Sequence, residues 1–203
     1  MKAILGVKEK MTQIFDENGA VIPVTVIKTG TATVLQVKNM ETDKYNAVQI
    51  GFGERNEKRI PKAQKGHYKD MGNFRYVKEF RYENLPAEIK VGDKIEITNF
   101  EKGDVVRISA FSKGKGFQGV VKRHGFAGGR RSHGGKHAER EPGSIGSTGP
   151  QRVFKGTRMA GRMGNDRVTL IRVKVVGINP ENNEIYLKGA VPGRRGTLVE
   201  IQG

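Results

Sequence analysis

The chain has 203 residues, with 37 Lys and Arg against 21 Asp and Glu, a formal charge of +16 and a pI near 10.1. Such a balance leaves three readings, nucleic acid, an anionic membrane or charge for solubility, and the membrane lacks support, since no apolar run of about 18 residues and no helix with a wide apolar face is evident. There is no Cys, which removes disulfides, a thiol nucleophile and Cys-based zinc sites and fits a reducing compartment.

Taken in order, the chain opens with MKAILGVKEK, which returns to charge at Lys8. That is unlike a secretory signal, and a cytoplasmic protein is expected. Residues 3–8, 12–15 and 21–28 read as short strands, with a turn at Asp16–Gly19. Pro23 argues for an edge or a strand start. Residues 32–38 (ATVLQVK) and 45–52 (YNAVQIGF) are rich in β-branched side chains and read as strands. From Glu54 the pattern turns polar and basic. Pro61 opens a short helix to about Lys69, weakened by Gly66. Residues 74–82 alternate as a strand, Asn84–Pro86 turns the chain, and 94–100 and 105–111 are two further strands. After the basic stretch come strands at 168–178, 184–188 and 197–201, with a turn at Asn179–Asn183.

Many short strands and little helical periodicity predict a mainly β fold, a barrel or a sandwich. Strands flank the central stretch on both sides, so that stretch is an insertion into one domain. The expected division is 1–53 (barrel, first part), 54–93 (a smaller α+β excursion), 94–111 (barrel strands), 112–165 (a long Gly/Arg/Lys-rich loop) and 166–203 (barrel, last part).

Residues 112–165 hold 14 of the 28 glycines and 12 of the 37 Lys and Arg, against two acids, a net +10 of the +16. Between Lys122 and Arg167 the only Val, Ile or Leu are Ile145 and Val153. A segment of this kind buries too little apolar surface to offset its ordering entropy. It is therefore disordered, or ordered by something outside the chain, and a dense polyanion is the partner that fits. The cations Lys113, Lys115, Lys122, Arg123, Arg130, Arg131, Lys136, Arg140, Arg152, Lys155, Arg158 and Arg162 are expected to neutralise phosphates. His124, His133, His137 and Phe126 are expected to contact sugars or bases. Phe117, next to the preceding strand, reads instead as an anchor for the base of the insertion. Duplex DNA fits less well, because no basic helix for a major groove is evident. Folded RNA offers narrow passages into which a thin Gly-rich strand can thread.

Gly114, Gly116 and Gly119 spell G-x-G-x-x-G, but the dinucleotide reading is rejected. That motif needs a helix start after the third glycine and an acid about 20 residues on. Here VVKRHGFAGG breaks within six residues, so no helix is expected, and Gly134–Lys136 stand where the acid should be. The glycines read instead as a backbone that approaches phosphate, or as a plain Gly-rich turn. His133 and His137, four apart, lie in a non-helical stretch without Cys, so no metal site and no cofactor are expected. No nucleophile elbow or Walker A sequence occurs, so no catalytic residue and no small-molecule substrate are expected. Two other classes stay open: a nucleotide-dependent enzyme using Gly114–Gly119, and a general nucleic-acid or chromatin binder.

The chain resembles the bacterial ribosomal protein L3 family over essentially its full length. The resemblance rests on Phe100, Ala110, Ser112, Gly114, Lys115, Gly116, Gly119 and Arg123, supported by MTQIF at 11–15, YNAVQIGF at 45–52, KGH at 65–67, PGSIG at 142–146 and KGAVPG at 188–193. Arg107 departs from the family's usual Asp or Asn, and altered local pairing is expected there. The resemblance implies a Greek-key β-barrel of the translation-protein type, with an extended loop threading large-subunit rRNA toward the peptidyl transferase centre. It further implies a loop tip at Ser147, Thr148, Gly149, Pro150 and Gln151, with Gln151 the local candidate for methylation. The implied partners are large-subunit rRNA and neighbouring large-subunit ribosomal proteins, with a role early in assembly and no catalysis by the protein.

Overall fold

The computed structural model describes residues 2–85 and 89–203, with the side chain of Asp70 left aside. The turn expected at Asn84–Pro86 thus lies partly outside the described residues. In chain order the elements are β1 (Ala3–Phe15), β2 (Val21–Thr29), β3 (Ala32–Lys38), α1 (Met40–Asp43), β4 (Ala47–Glu54), α2 (Lys62–Tyr68), β5 (Phe74–Arg81), β6 (Lys94–Ile95), β7 (Val105–Phe111), β8 (Gly116–Gln118), α3 (Val120–His124), β9 (Gly161–Met163), β10 (Arg167–Asn179), β11 (Glu184–Lys188) and β12 (Leu198–Gln202). The fold is mainly β. It divides into two units, Met1–Phe111 with Arg167–Gly203, and Ser112–Asp166.

In the first unit, β1-β12-β7-β10-β11-β2 close into a barrel with every pair antiparallel. The spatial order β12-β7-β10-β11 places the last strand beside the first of three neighbours, which is a Greek key. Period-2 alternation explains the filling: Val106, Ile108 and Ala110 of β7 point inward with Ile4, Ile27, Ile185, Leu187 and Ile201. Each of the Val, Ile and Leu side chains among them contributes about 1.5–3 kcal/mol by leaving water. Pro23 is tolerated near the start of β2 because its missing N–H would meet the end of β11. There its carbonyl oxygen accepts from Gly189 N–H at 2.8 Å, and the Gly189 carbonyl oxygen is taken by buried Thr25 Oγ1 at 2.6 Å.

Residues 32–53 differ from expectation: β3 and β4 lie outside the barrel, in a four-stranded sheet of order β5-β4-β3-β6. The reason is two-sided burial. Ala3 and Leu5 of β1 point away from the barrel interior and pack with Val34, Val48, Ile50, Phe52 and Phe80 of this sheet. Leu35 of β3 enters a third cluster with Ile60 and Tyr68, which the 54–71 segment supplies. Strands buried on both faces read as unbroken apolar runs, and AILGV is one.

Two further elements differ. The expected strands 3–8 and 12–15 are one strand, β1, with a register shift between Lys8 and Lys10. Lys8 Nζ donates to the carbonyl oxygens of Val191 at 2.6 Å and Gly193 at 3.1 Å, so charge in mid-strand is satisfied. The expected strand 94–100 keeps only Lys94–Ile95, and Ile97–Asn99 winds into a 3-10 turn. Three-residue spacing then sends both Ile97 and Phe100 into the barrel core. Opposite Arg107 the pairing is irregular, since β10 shifts register between Leu170 and Val173 and Arg172 adopts φ 64°.

Candidate nucleic-acid interface

Residues 112–166 have little to bury, and Val120 is the one buried residue among them. Hydrogen bonds supply the local order. Ser112 N–H donates to the Asp166 carbonyl oxygen at 2.9 Å, and Asp166 N–H donates to Ser112 Oγ at 3.2 Å. This clamp holds entry and exit together. Beyond it β8 and β9 pair antiparallel, with Phe117 opposite Arg162, and Lys115 N–H donates to the Met163 carbonyl oxygen at 2.9 Å.

The rejection of a helix after Gly119 needs correction, because α3 starts directly there. Burial of the Val120 side chain, 2 % exposed, gives this turn an inner face. It ends after five residues at Gly125, whose left-handed φ of 73° suits glycine. A helix so short, without a βαβ unit or a ribose-binding acid, still does not make a dinucleotide fingerprint.

The helix carries functional side chains to the segment that leads into β9. Arg123 Nη1 donates to the Met159 carbonyl oxygen at 2.7 Å, and His124 Nε2 donates to the same oxygen at 3.1 Å. A cleft of about 450 Å³ results, into which Lys113, Lys115, Arg123, His124 and Arg162 converge with Asp166. Five of the residues singled out from sequence therefore share one concavity. Four are Lys or Arg, and none of them has an ion-pair partner among the described residues. Unneutralised like charges at close quarters repel one another. Guanidinium and ammonium groups in such an array match phosphate oxygens.

Further along the insertion the chain folds back on itself. Gly129 N–H donates to the Ala138 carbonyl oxygen at 3.0 Å, and Arg131 pairs with Glu139 at 2.6 Å. Phe126 is half-buried, its ring 6.1 Å from that of His124, and it lines a second concavity of about 290 Å³ with Ala127, Gly128, Ala138 and Pro142. Lys122, Arg130, His133, Lys136, His137 and Arg140 are exposed and line neither of these two concavities. His133 and His137 belong to no cluster of three potential metal ligands among the described residues.

Every residue from 140 to 158 is exposed, including Arg152, Lys155, Arg158 and the whole of Ser147–Gln151. Arg152 lies 6.0 Å from the centre of the Phe154 ring, a cation–π contact on the outside of the molecule. Ser147 Oγ–H donates to the Gly149 carbonyl oxygen at 2.9 Å. Phe117 is not the anchor expected of it, being 76 % exposed. Its strand belongs to the two-stranded ribbon β8-β9. Two contributors escaped the sequence reading: the Met159 carbonyl oxygen, which no side-chain pattern reveals, and the Ser112–Asp166 clamp. The clamp's one side-chain signal is Ser112, since Asp166 takes part through its backbone alone.

Comparison with known proteins bears on this geometry directly. The family model described as Ribosomal protein L3 matches residues 79–185, which include all of 112–166. A large ribosomal subunit protein uL3 of Carboxydothermus hydrogenoformans is 47 % identical over 203 residues, covering 99 % of this chain and 96 % of that protein. The chain belongs to the ribosomal protein L3 family. A second relative, the large ribosomal subunit protein uL3 of Syntrophomonas wolfei, is 47 % identical over 201 residues, covering 98 % of this chain and 94 % of that protein. Family membership removes the nucleotide-dependent enzyme from consideration. The basic cleft and the exposed arm become features of an L3-type protein.

Proposed function

We propose that this chain is a structural, non-enzymatic constituent of the large ribosomal subunit, bound to large-subunit rRNA through residues 112–166. The observation that carries this reading is the convergence of Lys113, Lys115, Arg123 and Arg162 in one cleft, none of them ion-paired among the described residues, at the base of an arm exposed from 140 to 158. In this reading the cleft grips phosphates and the remaining cations neutralise RNA along the arm. The half-buried ring of Phe126 and the three histidines meet sugars or bases. Ser147–Gln151 form the tip directed toward the peptidyl transferase centre, with Gln151 exposed for methylation. The barrel stays at the subunit surface, beside neighbouring ribosomal proteins, in cytoplasmic ribosomes. Early binding to rRNA helps nucleate assembly.

Deleting 125–162 and bridging the gap with a short glycine linker is the test. The barrel is expected to melt cooperatively as before, while incorporation into reconstituted subunits is lost. Normal incorporation of the truncated protein would refute the assignment.

A further inference from the structure

The first unit has its own charge asymmetry. Residues 54–75 hold seven Lys and Arg against three acids, a net +4, while everything outside 112–165 sums to only +6. Folding gathers three of those cations. β4 ends at Glu54, and Arg55 N–H donates to the Asn73 carbonyl oxygen at 3.0 Å, which fixes Arg55 beside the start of β5. Asn56 then caps a 3-10 turn, its Oδ1 accepting from Lys58 N–H at 3.1 Å, and this turn presents Arg59. Ile60, buried with Leu35 and Tyr68, pins the segment from below. Arg75 comes from β5 and lies 5.1 Å from the Tyr76 ring centre, and that ring stacks in turn on Phe52 at 6.4 Å. Arg55, Arg59 and Arg75 thus line one cleft of about 480 Å³ with Asn56, Tyr76 and Glu54.

The pairing pattern singles this cleft out. Elsewhere in the unit, Lys2 pairs with Asp104, Lys38 with Glu79, and Lys78 and Arg167 with Glu200. Beside the cleft, Glu57 is engaged by Lys65 at 2.8 Å. None of the three cleft guanidiniums has an ion-pair partner among the described residues. Fixing three guanidiniums around one space with a single carboxylate costs self-repulsion unless an anion enters. Their planar forks suit paired phosphate oxygens better than a point charge would.

We propose that Arg55, Arg59 and Arg75 form a second RNA-binding site, which takes the phosphodiester backbone and is separate from residues 112–166. This rests on the reading of the chain as an rRNA-binding protein and adds a contact made by the excursion between β4 and β5. An acidic protein segment is less suited. The same segment also exposes Lys58, Lys62 and Lys69, and such a density of cations suits a polyanion with regularly repeated charge.

The test uses the full chain with Arg55, Arg59 and Arg75 all changed to Gln. A control carries Lys10→Gln, Lys174→Gln and Lys188→Gln, exposed cations outside both surfaces. Binding to large-subunit rRNA is measured across a salt series, with thermal melting as the check on folding. Each lost phosphate contact lowers the slope of log affinity against log salt by roughly 0.7–0.9, so the arginine variant is expected to lose about 2 units of slope and about tenfold or more in affinity near 0.1 M salt. The control is expected to change little in either. Equal losses in both variants, or no loss in the arginine variant, would overturn the second site while leaving the role of 112–166 intact. So would retained rRNA binding together with lost binding to a poly-Glu peptide, which would assign the cleft to an acidic protein. A wild-type chain that binds rRNA no better than random duplex DNA at matched salt would overturn both.

Discussion

Arg123 and Met159 are 36 positions apart, yet the arginine's Nη1 donates to the methionine's carbonyl oxygen at 2.7 Å. One side chain thereby braces the segment leading into β9 against α3 and places positive charge in the basic cleft. The two roles separate by substitution. Arg123→Lys keeps the charge and loses the planar fork. It is expected to retain most of the salt dependence of rRNA binding while amides near Met159 exchange faster. Arg123→Ala is expected to lose both, with about 1 unit less salt slope.

Gly51 sits under Phe74, where an added Cβ would come within 2.6 Å of the ring. The pair closes one face of the four-stranded sheet, since Phe74 packs with Leu35, Ile60 and Tyr68. Gly51→Ala is expected to destabilise the protein by about 1–3 kcal/mol through overpacking. In a Phe74→Ala background the same change is expected to cost little, because the ring it strikes is gone. Urea unfolding of the four proteins of this cycle reads the coupling directly.

Acid should loosen the first unit before it affects rRNA contacts. The Lys38 ammonium, with help from Tyr45 and Gln49, holds the Glu79 carboxyl below its usual range. Lys2 Nζ and the Glu101 backbone N–H do the same for Asp104. A carboxylate whose folded pKa is depressed adds stability that is full above its unfolded value near about 4 and fades as pH falls through the folded value. The melting temperature is therefore expected to be flat from about pH 7 to 5 and to fall below about pH 4. Glu79→Gln and Asp104→Asn should each lower the plateau and make the acid limb shallower.

Most of the barrel was readable because β-branched alternation is a short-range signal that the closed sheet obeys. Strands 105–111 and 184–188 emerge with the bounds that the periodicity predicts. The failures have tertiary causes. Lys8 and Lys10 interrupt the apolar pattern of β1, yet Lys8 finds backbone acceptors 183 and 185 positions away. Ile97 and Phe100 look like strand residues, but a 3-10 turn delivers them to the core. The placement of β3 and β4 in a second sheet depended on which face of β1 would be covered, which local pattern does not encode. In 112–166 the basic residue types were legible from composition, whereas their gathering into a cleft depends on α3, whose single buried side chain, Val120, is too weak a helical signal to read.

The central claim is that residues 126–158 take their order from folded RNA and not from an interior of their own. Amide hydrogen exchange on the free protein and on the rRNA-bound protein tests it most directly. The expected result is near-intrinsic exchange across 126–158 in the free chain, a protected barrel in both states, and protection of 126–158 on the RNA. Strong protection of 126–158 in the RNA-free monomer at ordinary salt would contradict the account.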